Sequence, residues 1–171
     1  MLRILDERIA DKQIVNLLKE IIGSFPAGLP LGNLTSQLFS NVYLNEFDQF
    51  VKHKLKLKHY IRYADDFVFL SEDKKALGSI LPAIANYLQS HLKLQLHPDK
   101  VFIKTLASGV DFLGWVHFFE HRVLRTVTKK RMLKKLNHKN YDSYLGLLQH
   151  GNAQKIKRLI SIDLSYKSDS I

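Results

Sequence analysis

"HYIRYADDFVFL", residues 59–70, sets two adjacent carboxylates, Asp65 and Asp66, between two runs of aromatic and β-branched residues. Residues 59–63 and 67–71 have the composition of short strands, and the break at Ala64, Asp65 and Asp66 predicts a β-hairpin. Inside a strand, neighbouring side chains point to opposite faces, so two adjacent Asp could not share a ligand there. At a hairpin tip that alternation breaks, and both carboxylates can approach one site. Their repulsion at close range calls for a cation, and all-oxygen donors favour Mg²⁺ or Mn²⁺ over zinc. The plain alternative is a solvated turn, because Asp is common in turns, where its side chain bonds to local backbone.

Upstream, residues 1–23 carry Ile14, Leu17, Leu18, Ile21 and Ile22 at helical spacing, with Asp11 placed as a cap. Two Pro and two Gly in "FPAGLPLGNLTSQ", residues 25–37, predict irregular backbone, with Thr35 or Ser36 capping the next helix. That helix, to about residue 53, bears a wide apolar stripe of Leu38, Phe39, Val42, Tyr43, Leu44, Phe47 and Phe50. Downstream, residues 73–92 return to helical spacing with Pro82 as an interruption, followed by an expected strand at 101–104. A second hairpin is expected from "VDFLGWVHFF" and "RVLRT", turning near Glu120 and His121, and short helices from Thr128 to a polar tail. The order predicts an α+β fold, helices packed on one face of a small antiparallel sheet.

The chain has 171 residues, 46% of them hydrophobic and 25% charged, enough for one compact domain with appendages. Its 26 Lys and Arg against 16 Asp and Glu give a formal charge of +10, which suits a polyanionic partner. With no cysteine, disulfides and thiolate metal sites are excluded. No apolar run is long enough for a membrane span, and Arg3, Asp6, Glu7 and Arg8 break up any signal-peptide core, so a cytoplasmic protein is expected. The eight His are scattered, and His117 and His121 fall across a strand and turn, outside helical zinc-ligand spacing. From Arg122 to Lys139 the chain carries Arg125, Lys129, Lys130, Arg131, Lys134 and Lys135 without one acidic residue. Such a run is either a solvated basic face or a salt-sensitive contact to a nucleic-acid backbone.

"YADD" within this hairpin resembles the Tyr-x-Asp-Asp motif of the reverse transcriptase palm. "GLPLGNLTSQLFSNVYLNEFD", residues 28–48, resembles that family's Gly-x-x-x-Ser motif leading into the palm helix. "LQLHPDKVFI" resembles the segment in which the family carries a lysine, and "GVDFLGW" resembles its primer-grip hairpin. The motifs stand in family order over residues 28–127, and Gln37 after Ser36, where group II intron enzymes usually carry Ser-Pro, looks most like bacterial enzymes of the diversity-generating-retroelement type, with group II intron-like enzymes as the alternative.

The resemblance implies an RNA-directed DNA polymerase working by two-metal nucleotidyl transfer on an RNA template with a DNA primer and deoxynucleoside triphosphates. Asp65 would be the principal Mg²⁺ (or Mn²⁺) ligand and Asp66 would assist. Gly32, Ser36, Gln37, Tyr63 and Lys100 would serve nucleotide or template, with a helix cap as the plain reading of Ser36, core packing that of Tyr63 and an exposed lysine that of Lys100. Gly114 and Trp115 would shape the primer grip; Trp115 reads equally as core. On the same resemblance, residues 1–127 correspond to a partial palm, 128–164 to the start of a basic thumb and 165–171 to a polar tail. Arg125, Lys129, Lys130, Arg131, Lys134 and Lys135 would then meet the template–primer backbone.

The family's active site also uses a third carboxylate, on an Asp-x-x-x-Phe-Phe strand preceding the helix that residues 1–23 match. No such strand pattern occurs here, and Asp6 and Asp11 belong to a helical pattern. The expectation is therefore a palm and thumb portion inactive on its own, completed by a further N-terminal segment, a separate chain or an accessory protein. Exposed palm surface makes self-association a further expectation. The competing class is a non-catalytic nucleic-acid-binding module.

Overall fold

The computed structural model describes residues 1–24 and 34–168, with side chains over 1–24 and 35–161. The described residues divide into two compact units, Met1–Ile103 and Lys104–Ile171. They form a mixed α+β structure of seven α-helices and two small antiparallel sheets. The single sheet expected from the sequence is therefore two, because β1 and β2 pair in the first unit and β3, β4 and β5 in the second.

In the first unit, the expected helix over 1–23 is broken into α1 (Leu2–Arg8) and α2 (Lys12–Gly23). Asp11 causes the break. Its carboxylate accepts from the Gln13 and Ile14 amides at 2.8 and 3.2 Å, which requires the extended backbone it adopts (φ −75°, ψ 111°). Of this segment's apolar residues Ile4, Leu5 and Val15 are buried, whereas Ile14 and Leu17 of the predicted stripe stay exposed. The break resets the helix face. Asp6 is taken up by Lys19 and Lys12, and Arg8 reaches Glu46 at 2.6 Å.

Helix α3 (Leu34–Gln49) runs into a π-helical turn, Phe50–Lys54. Thr35 and Ser36 are preceded by helical Leu34, so they lie within the helix rather than at its cap. Phe47 and Val51 are fully buried against Ile84, Leu88 and Leu92 of α4 (Lys74–Leu92). Pro82 lies inside α4 without ending it; what it removes is one amide donor, since Asp73 caps the start by accepting from the Lys75 amide at 2.7 Å.

The predicted hairpin is present as β1 (Tyr60–Tyr63) and β2 (Asp66–Phe69), in the register Tyr60↔Phe69, Arg62↔Phe67 and Tyr63↔Asp66. Tyr60, Phe67 and Phe69 pack on Phe47, whose ring lies 5.0 Å from that of Phe67. The other face, carrying Ile61 and Tyr63, is exposed. The strand expected over 101–104 is not formed: Val101 has extended angles, but no strand pairs with the segment among the described residues, and Val101, Phe102 and Ile103 remain exposed.

In the second unit, β3 (Val110–Phe112), β4 (Trp115–His117) and β5 (Arg122–Leu124) form an antiparallel meander. "VDFLGWVHFF" is thus two strands and a turn rather than one arm. Leu113 and Gly114, at φ 53° and 82°, make the two-residue connection. The second turn falls at residues 118–121, as expected, closed by the Phe118 amide donating to the His121 carbonyl at 2.8 Å. Helices α5 (Thr126–Lys135), α6 (Tyr141–Gln149) and α7 (Gln154–Ser168) bury Met132, Leu148 and Ile160 with Trp115 and Leu124. Helical backbone continues into the expected tail as far as Ser168.

Candidate functional site: the Ala64-Asp65 turn and its anchor

Strand parity decides where each side chain of "YIRYADD" goes. Tyr60 and Arg62 face the helices; Ile61 and Tyr63 face away, with Tyr63 62% exposed. Tyr63 is therefore not core. Asp66 opens β2 opposite Tyr63, while Ala64 and Asp65 form the two-residue tip. Ala64 has φ 51° and Asp65 is not in the positive-φ region, the φ pattern of a type II′ turn, in which glycine is the favoured first residue. Here that position is Ala.

A charged cluster on α3 holds the turn in this shape. Arg62 donates through Nε to Asp48 Oδ1 at 2.8 Å and through Nη2 to Asp48 Oδ2 at 2.6 Å, a two-pronged pair. Its Nη1 donates to the Ala64 carbonyl at 2.8 Å and to Asn41 Oδ1 at 3.0 Å. Tyr60 adds a 2.6 Å bond from its hydroxyl to Asp48 Oδ1. The pair is largely shielded, with the Arg62 and Asp48 side chains 10% and 18% exposed.

The electrostatics follow from that shielding. Burial opposes ionisation of Asp48, but the hydrogen bonds from Arg62 and Tyr60, with the charges of Arg62 and Lys52, outweigh it and hold its carboxyl below the usual range. The Asp48 hydrogen bonds push Arg62 further up against the opposing effect of burial. Burial first, then the bond to Asp48, raises Tyr60 well above an ordinary phenol. Arg62 is thereby committed to Asp48. Asp65 and Asp66, two and three residues from Tyr63, are exposed, and neither is engaged by another side chain among the described residues.

Arg62, Asp48, Asn41 and Tyr60 were not singled out from the sequence. The available signal was parity: Arg62 alternates with Ile61 and Tyr63 on the same side as Tyr60, so an ion must point inward and needs an acid there. Gln37, Asn41 and Asp48 stand at i, i+4 and i+11 on α3. Gln37 is exposed and sits one helical turn before Asn41, which places it toward the side of α3 that receives the hairpin tip. Ser36 is half-buried in the same turn, and Lys100 is exposed at the end of the 3₁₀ turn Pro98–Lys100. Gly32 lies outside the described residues.

The donor set at the tip fits a hard dication: two oxygen-only carboxylates, the number Mg²⁺ characteristically takes when substrate phosphates and water complete its shell. Among the described residues no three His, Asp or Glu converge as a metal cage.

The second unit carries the other predicted residues. Trp115 is buried, 7% exposed, under the Arg122 guanidinium, 5.3 Å from its ring centre. The Gly114 carbonyl accepts from the Arg125 amide at 3.0 Å. The Arg125 guanidinium forms an ion pair with Asp111. On α5, Lys130, Arg131, Lys134 and Lys135 are exposed and Lys129 is half-buried. Lys130 and Lys134, and Arg131 and Lys135, are i,i+4 like-charge pairs, each mildly destabilising to the helix by itself. No described helix is long and apolar enough to cross a membrane.

This chain is 30% identical to Protein YkfC of Escherichia coli (strain K12) in a 167-residue alignment taking in 73% of this chain and 42% of that relative. The chain thus spans less than half the length of the curated relative it matches. Residues 10–117 match the family described as Reverse transcriptase (RNA-dependent DNA polymerase), a stretch that includes α2, α3, the Ala64-Asp65 hairpin and β3–β4, and the chain belongs to that family.

Proposed function

We propose that residues 1–127 form part of a reverse transcriptase palm and residues 128–164 the start of its thumb, together serving RNA-directed DNA synthesis in the cytoplasm. The observation that carries this reading is the hairpin tip, where two carboxylates stand exposed and unengaged on a turn fastened to α3. Asp65 and Asp66 would hold Mg²⁺ or Mn²⁺, which when bound supplies charge stabilisation at the phosphates of the incoming nucleotide and at the primer 3′-hydroxyl. Tyr63, on the exposed face beside Asp66, would support the primer end. Gly32, Ser36 and Gln37, leading into α3, would line the path of the nucleotide or template base, and Lys100 would offer a point charge to phosphate.

Gly114 and Trp115 would shape the primer grip, the glycine through its turn and the tryptophan by fixing the strand beneath it. Lys130, Arg131, Lys134 and Lys135 would follow a template–primer backbone, relieving the like-charge pairs on α5 by binding a polyanion; Lys129 would assist at its edge. Arg125, engaged by Asp111, is the least available of the basic set. Two carboxylates fall short of the family's three. This polypeptide by itself should therefore give no measurable primer extension and should need a further segment or chain to supply the third.

The basic stripe on α5 favours a second reading, a nucleic-acid-binding module without catalysis. Binding of a fluorescent RNA–DNA template–primer separates the two. For the palm reading, Mn²⁺ tightens binding and Asp65→Asn removes that gain. Lys130→Ala with Lys134→Ala lowers the slope of log K against log salt by about 1–2. Binding that ignores both Mn²⁺ and Asp65→Asn leaves the module reading. Robust Mg²⁺-dependent primer extension by this chain, lost in Asp65→Asn, would overturn the expectation of inactivity.

A further inference from the structure

We infer that Arg62 and Asp48 are positioning residues that impose the shape of the Ala64-Asp65 turn and so aim the carboxylate it carries, Asp65, beside that of Asp66 at the start of β2. The turn cannot hold that shape by its own composition. Ala64 takes a left-handed φ of 51°, which an L-residue with a Cβ disfavours and which a glycine would adopt freely. An external contact offsets that cost.

Arg62 supplies it at the carbonyl of Ala64 itself. That carbonyl accepts from Nη1 at 2.8 Å, so the peptide linking Ala64 to Asp65 is held in one orientation. Arg62 is in turn immobilised by the two-pronged contact to Asp48 and by Asn41, both on α3, while the Tyr60 hydroxyl occupies the remaining approach to Asp48 Oδ1. A guanidinium is suited to this because its fork reaches two acceptors on one helix and a backbone carbonyl at once, which an ammonium cannot do in fixed geometry.

The arrangement also solves an electrostatic problem. An arginine three and four residues from a carboxylate pair is a natural ion-pair partner for it, and such pairing would occupy the ligand oxygens. Asp48 takes up the Arg62 charge at 2.6 Å, leaving Asp65 and Asp66 unengaged by any side chain among the described residues. The inference rests on the palm reading only for the purpose of the aim; the fastening of the turn is independent of it.

The test uses the ¹⁵N-labelled chain with Arg62→Lys, which keeps the charge and loses the fork, and with the near-isosteric Asp48→Asn, which keeps the volume should Arg62→Lys fail to fold. A conservative Asp48→Glu serves as rescue. Relaxation dispersion at the Ala64, Asp65 and Asp66 amides reads the turn, and Mn²⁺-induced broadening at the same amides reads the carboxylates. All measurements are made where circular dichroism shows each variant folded.

The expected result is new microsecond-to-millisecond exchange confined to the turn in Arg62→Lys and Asp48→Asn, and apparent Mn²⁺ affinity about tenfold weaker in both, or roughly 1.4 kcal/mol. The double variant should lose no more than either single one, as for two residues acting as a unit, and Asp48→Glu should recover most of the loss. Turn amides in Arg62→Lys and Asp48→Asn indistinguishable from the parent would overturn the inference. Mobile turn amides in the variants, with no Mn²⁺ broadening at Asp65 or Asp66 in the parent, would uphold the fastening and overturn the metal-binding part of the palm reading instead.

Discussion

Two hairpin turns of two residues, among the described residues, reach positive φ with different support. At Leu113-Gly114 both residues have positive φ, and the second is a glycine that takes 82° without penalty; its carbonyl meets a backbone amide, that of Arg125, at 3.0 Å. At Ala64-Asp65 there is no glycine, and side chains from α3 acting through Arg62 hold the left-handed alanine. The first turn has a glycine at one of its two positive-φ positions, with Leu113 at the other; the second has none, and an arginine side chain grips the carbonyl of its left-handed residue. The second device suits a site whose carboxylates must be aimed, because a glycine at that position would leave the tip free to move.

The largest effect is expected where backbone meets ring behind the glycine-built sheet. In Gly151→Ala the new Cβ would fall 2.2 Å from Trp115 Cζ3 and 2.9 Å from the Arg122 carbonyl oxygen, and the backbone there has little room to yield. A loss of about 3 kcal/mol is expected, read by the unfolding midpoint followed through the chain's one tryptophan. An unchanged midpoint would mean the Trp115 side of this sheet is loosely packed.

Asp48→Ala attacks the fastened turn and leaves Arg62 shielded without its partner, at a cost of about 2–3 kcal/mol near neutral pH. The sign with pH follows from the lowered Asp48 value. Its stabilising contribution is fully present above the ordinary carboxylate value of about 3.9 and disappears as pH falls through the lower folded value. The stability gap between parent and variant should thus be flat from about pH 5 to 7 and close in stronger acid. A gap that widens on acidification would refute the assignment.

Swapping the turn chemistries sharpens the contrast with opposite signs. Among the described residues Gly114→Ala meets only Thr128 Oγ1, at 3.7 Å, so its expected cost of about 1–2 kcal/mol is conformational rather than steric. Ala64→Gly should be neutral or stabilising by up to about 1 kcal/mol, and should reduce the further loss caused by Asp48→Ala, both measured by denaturant unfolding. Equal costs for the two substitutions would erase the distinction between the turns.

How much of this was legible in sequence depended on how local each signal was. The hairpin was legible because an aromatic, β-branched pattern broken by three small or polar residues has few other solutions, and Asp11 as a cap because capping is a contact between near neighbours. Reading "VDFLGWVHFF" as one arm by composition missed the turn, which only the resemblance of "GVDFLGW" to a hairpin had marked. The strand expected at 101–104 failed because apolar composition cannot supply a pairing partner. Ile14 and Leu17 were assigned to a buried stripe, yet burial depends on what packs against a helix. The candidate carboxylates were visible by motif, whereas the cluster that fastens them was not: Asp48 precedes Arg62 by fourteen residues, and nothing local couples them.

By itself, the sequence determined the chain's charge, most of its helical segments and an Asp pair at the hairpin of residues 60–69, because composition and periodicity act over a few residues. Only the tertiary structure decided that Tyr63 faces outward, that Trp115 is core, that Arg125 is engaged by Asp111, and that Arg62 turns away from the Asp pair to Asp48. Those outcomes depend on which distant groups share a shielded space, where a charge without a partner costs more than the conformational freedom lost in pairing it.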